Sequence, residues 1–154
     1  MNSVQQGRIN KTKWYFIERE SFLNQLRIEI KRHILRCKKN GFKPAIRLNG
    51  TSDIDWNIHG LYNEFPKVKF YDYTKIYKRA LKYVKKQYPK NYHLTYSLNE
   101  DNKAQALDIL KRGGNISAVF KQLAIQPALA IAQVLNPLVR CGAKYRIAVI
   151  YLYF

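Results

Sequence analysis

Cysteine is scarce in this chain. Cys37 and Cys141 are the only two in 154 residues, and neither belongs to a C-x-x-C pair, so neither a disulfide framework nor a zinc site is signalled. Acidic side chains are few as well, 10 Asp and Glu against 28 Lys and Arg, which leaves a formal net charge of +18. No run of 18 apolar residues occurs, and the opening stretch MNSVQQGRINKTKWYF is charged but lacks the apolar centre of a signal peptide. No membrane span is expected, and a cytoplasmic location is. The glycine-dependent phosphate motifs are missing too: there is no P-loop, no G-x-G-x-x-G and no nucleophile elbow, and Gly113-Gly114 reads as a helix stop. His33, His59 and His93 show neither H-x-x-x-H nor H-E-x-x-H spacing. Of the three only His59 follows a pair of carboxylates, where an imidazole can move protons. These gaps remove the common nucleotide-binding, hydrolase and metalloprotease signatures and leave any reaction unassigned.

What the chain does have is enough apolar and aromatic content, 47% and 14%, to build a core at a length ordinary for one domain. Between Ser21 and Asn40 the residues Leu23, Leu26, Ile30, Ile34 and Cys37 recur at steps of three and four. That spacing predicts an amphipathic helix, with Ser21 able to cap its start and Asn40-Gly41 to stop it. PAIRLNG then reads as a short strand from Pro44 to Gly50. VKFYDY, Val68 to Tyr73, is a second strand, and Tyr73, Ile76, Tyr77, Ala80 and Val84 fall at helical spacing after it. Pro89, Lys90 and Asn91 break that helix, and YHLTYS, Tyr92 to Ser97, is the next strand. LNEDNKAQALDILKRGG predicts a helix capped by Asn99, with Glu100 and Asp101 at its positive end, Lys111 and Arg112 at its negative end and Gly113 as the stop. NISAVF, Asn115 to Phe120, is a further strand.

Strand and helix thus alternate at spacings of about 25 residues, the rhythm of parallel βα units in which each crossover helix packs on the sheet. The expected class is α/β, with successive βα units and a largely parallel sheet, as in a doubly wound fold or part of a (βα) barrel. Residues 122–154 differ in kind. They hold no acid, Pro127 and Pro137 divide their apolar run, and the chain ends on YRIAVIYLYF. A helix between the prolines and a final strand are expected. The organisation that follows is an α/β body over residues 1–121 and an apolar tail over residues 122–154, packed on that body or joining copies of the chain into a homo-oligomer, since an uncovered apolar strand invites association.

In parallel sheets the loops after the strands gather at one edge, where ligands bind. Three such loops are polar here. RLNGTSDIDW crowds Asn49, Thr51, Ser52, Asp53 and Asp55 beside Gly50; the second loop holds Asp72, Thr74 and Lys75; the third holds Ser97, Asn99 and Glu100. Asp53 and Asp55, two apart, point the same way if the segment is extended, and carboxylate, hydroxyl and amide oxygens suit a hard cation or a polar ligand. Lys75 offers an amine or a phosphate contact. The other reading is that Ser52 or Asp53 caps a short helix through Asn57 to Phe65, because the residues that bind ligands are also good caps. No metal-ligand set and no particular cofactor is specified.

Between Lys67 and Lys90 there are nine cationic side chains and one acid, Asp72. Lys78, Lys82 and Lys85 share a helical face flanked by Lys75, Arg79 and Lys86, which suits a phosphate backbone, and Tyr77, Tyr83 and Tyr88 add stacking if exposed. The alternative is a solvated face whose aromatic side packs on the sheet. Nucleic acid and a small anionic or polar ligand are the two partners in view.

RINKTKWYFIERESFLNQL, RLNGTSDIDW, FPKVKFYDYTK, NYHLTYSLNEDN and GGNISAVF stand in the order and spacing of a family found in phages and mobile elements. Over roughly Arg8 to Phe120 the chain resembles that gene product eighty-eight family. The resemblance implies no established activity. It implies a cysteine-rich, metal-binding segment in longer relatives, which has no counterpart ahead of Cys37, and a polar continuation after the AVF strand where this chain is apolar. The chain therefore resembles a shortened member with an altered end, and a remnant without catalysis is a third reading beside a ligand site and a nucleic-acid binder.

Overall fold

The computed structural model describes residues 3–50, 52–119 and 147–150. The chain divides into two units, Met1–Pro44 and Ala45–Phe154. The first is a pair of neighbouring helices, α1 (Ser3–Ile17) and α2 (Arg19–Lys39). α1 goes beyond the sequence reading, because its apolar residues follow no clear helical stripe. At the elbow between the helices Phe22 meets Trp14 edge-on at 5.2 Å and Tyr15 at 5.5 Å. α2 begins two residues before Ser21, and Glu18 stands at its N-cap with no side-chain cap, so Ser21 is a helical residue and not the cap. The stripe is as expected: Leu23, Ile30 and Cys37 are buried.

The second unit is built on five parallel strands in the consecutive order β1 (Ala45–Ile46), β2 (Lys69–Thr74), β3 (Tyr92–Ser97), β4 (Asn115–Val119) and β5 (Ile147–Ile150). The α/β expectation holds. β1 is shorter than the expected strand to Gly50, because Asn49 leaves the ladder to organise the loop described below. Of the tail, only β5 lies within the described residues. It extends the sheet beside β4, with Ile116 opposite Ile147 and Val119 opposite Ile150. The helix expected between Pro127 and Pro137 lies outside them.

Consecutive order with right-handed crossovers sends every crossover to the same side of a sheet. α4 (Tyr77–Val84) and α5 (Lys103–Lys111) accordingly pack together over one face, where Ala80, Tyr96, Ala106, Ile109, Leu110 and Ile116 form a buried cluster. Each such side chain contributes roughly 1.5–3 kcal/mol if large and fully buried. Strand alternation sorts the rest. Phe70, Asp72 and Thr74 of β2 and Tyr92, Leu94 and Tyr96 of β3 face the helices and are buried, whereas Lys69, Tyr71 and His93 on the other face are exposed, and Tyr73, Thr95 and Ser97 half-buried.

The short helix expected over Asn57 to Phe65 is two pieces, a 3-10 turn (Trp56–His59) and α3 (Leu61–Glu64), separated by Gly60 at φ +68°. Its cap is Asp55, which accepts from Asn57 N at 3.3 Å, and neither Ser52 nor Asp53. α5 starts later than expected. Asn102 is at its N-cap, Asn99 and Asn102 exchange hydrogen bonds of 2.8 and 3.0 Å, and Glu100 and Asp101 precede the first turn. Much of the tyrosine content lies in one aromatic cluster: Tyr92 stacks on Tyr62 at 4.3 Å and touches Tyr88 and Tyr83 at 5.1 and 6.2 Å. Below it Asn91 donates to the carbonyls of Tyr62, Phe65 and Val68, tying the end of α3 to the start of β2.

α2, α4 and α5 stop by the same device. The residue two beyond each helix turns left-handed, and the paired 6→1 and 5→2 hydrogen bonds close the last carbonyls. Gly41 and Gly113 fill that position in α2 and α5, at φ +73° and +80°. In α4 it is Lys86, at φ +58°.

Candidate functional site

The stretch RLNGTSDIDW is organised by one side chain. Asn49 is fully buried. Its Nδ2 donates to Asp72 Oδ2 at 2.8 Å and to the Ile54 carbonyl at 2.9 Å. Its Oδ1 accepts from Trp56 Nε1 and Ser52 Oγ, both at 2.9 Å, and from Ile54 N at 3.1 Å, while its own backbone N–H donates to Asp72 Oδ1 at 3.2 Å. An amide has two donors and one oxygen, and here every one is used. Asn49 therefore folds the loop around itself and fastens it to β2.

Asp53 fastens the same loop to the start of α4. One carboxylate oxygen accepts from Thr74 Oγ1 at 2.6 Å and from Lys75 N at 3.3 Å; the other is hydrogen-bonded to Arg79. Arg79 is 4% exposed, lies 3.7 Å from Asp72 and donates to the Tyr92 hydroxyl at 2.6 Å. Arg47 approaches Asp72 at 3.9 Å and lies over the Tyr73 ring at 4.9 Å. Asp55 faces elsewhere and accepts from the Tyr88 hydroxyl at 2.8 Å. Asp53 and Asp55 thus have separate partners, and among the described residues no group of three His, Cys, Asp or Glu is placed to hold a metal ion.

Burial dominates the electrostatics of this hub. It raises the Asp72 carboxyl to about 6, against the opposing pull of the Asn49 hydrogen bonds and the Arg79 and Arg47 charges. It also pushes the Tyr62, Tyr92 and Tyr88 phenols upward, the last helped by its bond to Asp55. For Arg79, burial works against the charge, but the facing Tyr92 and Asp53 hold its pKa above the ordinary value. The guanidinium is a fixed cation inside the fold.

Of the loop residues singled out from the sequence, the structure brings together Asn49, Ser52, Asp53, Asp72 and Thr74. Lys75 joins only through its backbone N–H, and its side chain is exposed. Thr51 lies outside the described residues. Ser97, Asn99 and Glu100 belong to a second cluster: Asn102 Nδ2 donates to the Ser97 carbonyl at 3.0 Å, Asn99 pairs with Asn102, and Glu100 is exposed. Among the described residues no hydrogen bond or ion pair links that cluster to the hub. His59 packs against the Trp56 ring at 5.9 Å.

On α4 and the turn after it, Lys78, Lys82, Lys85 and Lys86 are all exposed. Arg79 does not flank their face as the spacing suggested; it turns inward to the hub. The tyrosines expected beside the lysines also turn inward. Tyr77 donates to Asp108 at 2.6 Å, Tyr83 packs on Tyr88 and Tyr92, and Tyr88 is buried.

Arg79, Arg47 and Tyr92 were missed as members of the hub. A signal for Arg79 was present: it is the one arginine among the lysines from Lys67 to Lys90, and a planar guanidinium suits several buried oxygens where a lysine does not.

No curated protein and no solved structure matches the chain. A family model described as gene product 88 matches residues 1–151, well past Phe120 and through most of the apolar tail. With a match of that extent, the chain belongs to the gene product 88 family.

Proposed function

We propose that this phage-family protein binds nucleic acid through the phosphate backbone, with Lys78, Lys82, Lys85 and Lys86 as cationic contacts and without reading base sequence. What supports the reading is a division of labour among charges. The acids that touch α4 and its following turn are engaged internally: Asp53 and Asp72 with Arg79, Asp55 with Tyr88, and Asp108 with Tyr77 and Arg112. Among the described residues none of the four lysines is ion-paired. A face of that kind, in a chain of net charge +18, attracts polyanions by counterion release. Lys86 adds to this. It occupies, at φ +58°, the left-handed position that glycine fills without steric cost just beyond α2 and α5, and its side chain is exposed.

The test is the triple charge reversal Lys78→Glu/Lys82→Glu/Lys85→Glu. It is expected to weaken binding to every duplex tried by a similar factor. An unaltered chain that binds no nucleic acid at low salt overturns the proposal.

A second reading places a small polar or anionic ligand at the hub, and the raised pKa of Asp72 beside Arg79 favours it. That reading requires Asp53→Asn/Asp72→Asn to remain folded while losing the ligand. The scaffold role argued above expects the double variant to lose stability instead.

A further inference from the structure

The face of the sheet turned away from α4 and α5 carries Lys69, Tyr71 and Tyr73 from β2 and His93, Thr95 and Ser97 from β3, with Arg47 joining from beyond β1. Purely parallel sheets are normally covered on both faces and read as continuous apolar strands, so polar alternation in β2 and β3 is itself a signal. Tyr71 is 43% exposed and lies opposite His93 in the ladder, so the two residues are neighbours on one face with their backbones about 5 Å apart. Tyr73 lies two residues along the same face and carries the Arg47 guanidinium over its ring.

No strand residue on that face is acidic, while Arg47 and Lys69 supply positive charge. Lys69 also borders an open depression of about 390 Å³ shared with Lys90. Burial and the neighbouring Lys69 both lower the His93 pKa, which keeps its ring neutral and stackable at pH 7. Flat rings flanked by cations are the composition that binds unpaired bases, each base stacking on a ring while its phosphate meets a nearby cation. A duplex hides those base faces, so this surface selects for single strands.

We infer that the exposed part of this face on β2 and β3, through Tyr71, His93 and the Arg47–Tyr73 stack, is a platform for the unpaired bases of single-stranded nucleic acid. It deepens the proposed function and rests on it, adding a second surface on the opposite side of the sheet from the lysine face. The two surfaces have different readouts. Phosphate contacts do not need bases; stacking does.

The experiment compares a short labelled oligothymidylate with an abasic oligomer of the same length and charge, each titrated with the full chain at fixed salt. The unaltered protein is expected to favour the thymidylate by about tenfold or more. Tyr71→Ala/His93→Ala is expected to erase that preference and leave abasic and duplex affinity unchanged, and Tyr71→Phe, which keeps the ring, to preserve it. Equal affinity for the two oligomers, or a preference that survives Tyr71→Ala/His93→Ala, overturns the inference while duplex binding, and with it the lysine face, stands. Failure of the unaltered chain to bind duplex or either oligomer at low salt overturns both.

Discussion

At the scale of single residues, Arg79 ties the first loop, β2 and the tyrosine cluster to α4 at once. Removing one partner of a buried ion pair costs roughly 3–5 kcal/mol. Arg79→Ala is therefore expected to lose about that much in denaturant unfolding, and Arg79→Lys to recover only part of it, since an ammonium cannot serve Asp53 and Tyr92 in the same plane. A loss under about 1 kcal/mol would mean the hub is not structural. Asp72 gives a pH signature. Its carboxyl is raised from 3.8 to about 6, so the folded state favours its protonated form. The stability linked to Asp72 is thus complete below pH 3.8 and declines as pH rises to about 6, by roughly 3 kcal/mol in all. A carboxyl NMR titration checks this directly: a midpoint near 6 agrees, and one below 4 means that Asn49 and the arginines outweigh burial. The sequence announced the hub by its residue types but not its partners. Asn49, Asp53 and Asp72 stood out as polar groups at strand ends, whereas Arg79 and Tyr92 were hidden in a helix and a strand whose patterns already accounted for them.

At the scale of elements, β2, β3, β4 and α5 were legible because strand propensity, period and stop signals agreed over each segment. The misplaced boundaries have local causes. Asn49 exchanged a place in the ladder for six side-chain and backbone hydrogen bonds, Gly60 divided a helix by taking a positive φ, and Asn102 shared the cap with Asn99. Two substitutions test the helix ends. A Cβ on Gly114 would meet Ile109 Cγ2 at 2.5 Å, Val84 Cγ1 at 2.8 Å and the Ile109 carbonyl oxygen at 3.0 Å. Gly114→Ala should then destabilise by about 1–3 kcal/mol through overpacking between α4, α5 and β4. Lys86→Gly should do the reverse, gaining about 0.5–1 kcal/mol by relieving the left-handed lysine. It should also weaken duplex binding and reduce its salt slope by about one. A Lys86→Gly variant that is more stable and binds equally well would remove Lys86 from the interface.

At the scale of the whole molecule, composition carried the positive charge but not its placement. Periodicity put Arg79 among the lysines, and burial reassigned it; Tyr77, Tyr83 and Tyr88 likewise turn inward, while Tyr71 and His93 stay exposed on the sheet. Among the described residues no helix is long and apolar enough to cross a membrane. The proposed phosphate binding rests on the acids touching α4 being engaged by partners within the chain, which leaves its lysines uncompensated. The most direct measurement is the dependence of duplex affinity on salt for the unaltered chain and for Lys78→Glu/Lys82→Glu/Lys85→Glu. Each neutralised phosphate contributes about 0.9 to the slope of log affinity against log salt, so the triple variant should be shallower by roughly three. An identical slope in a folded triple variant would contradict the claim.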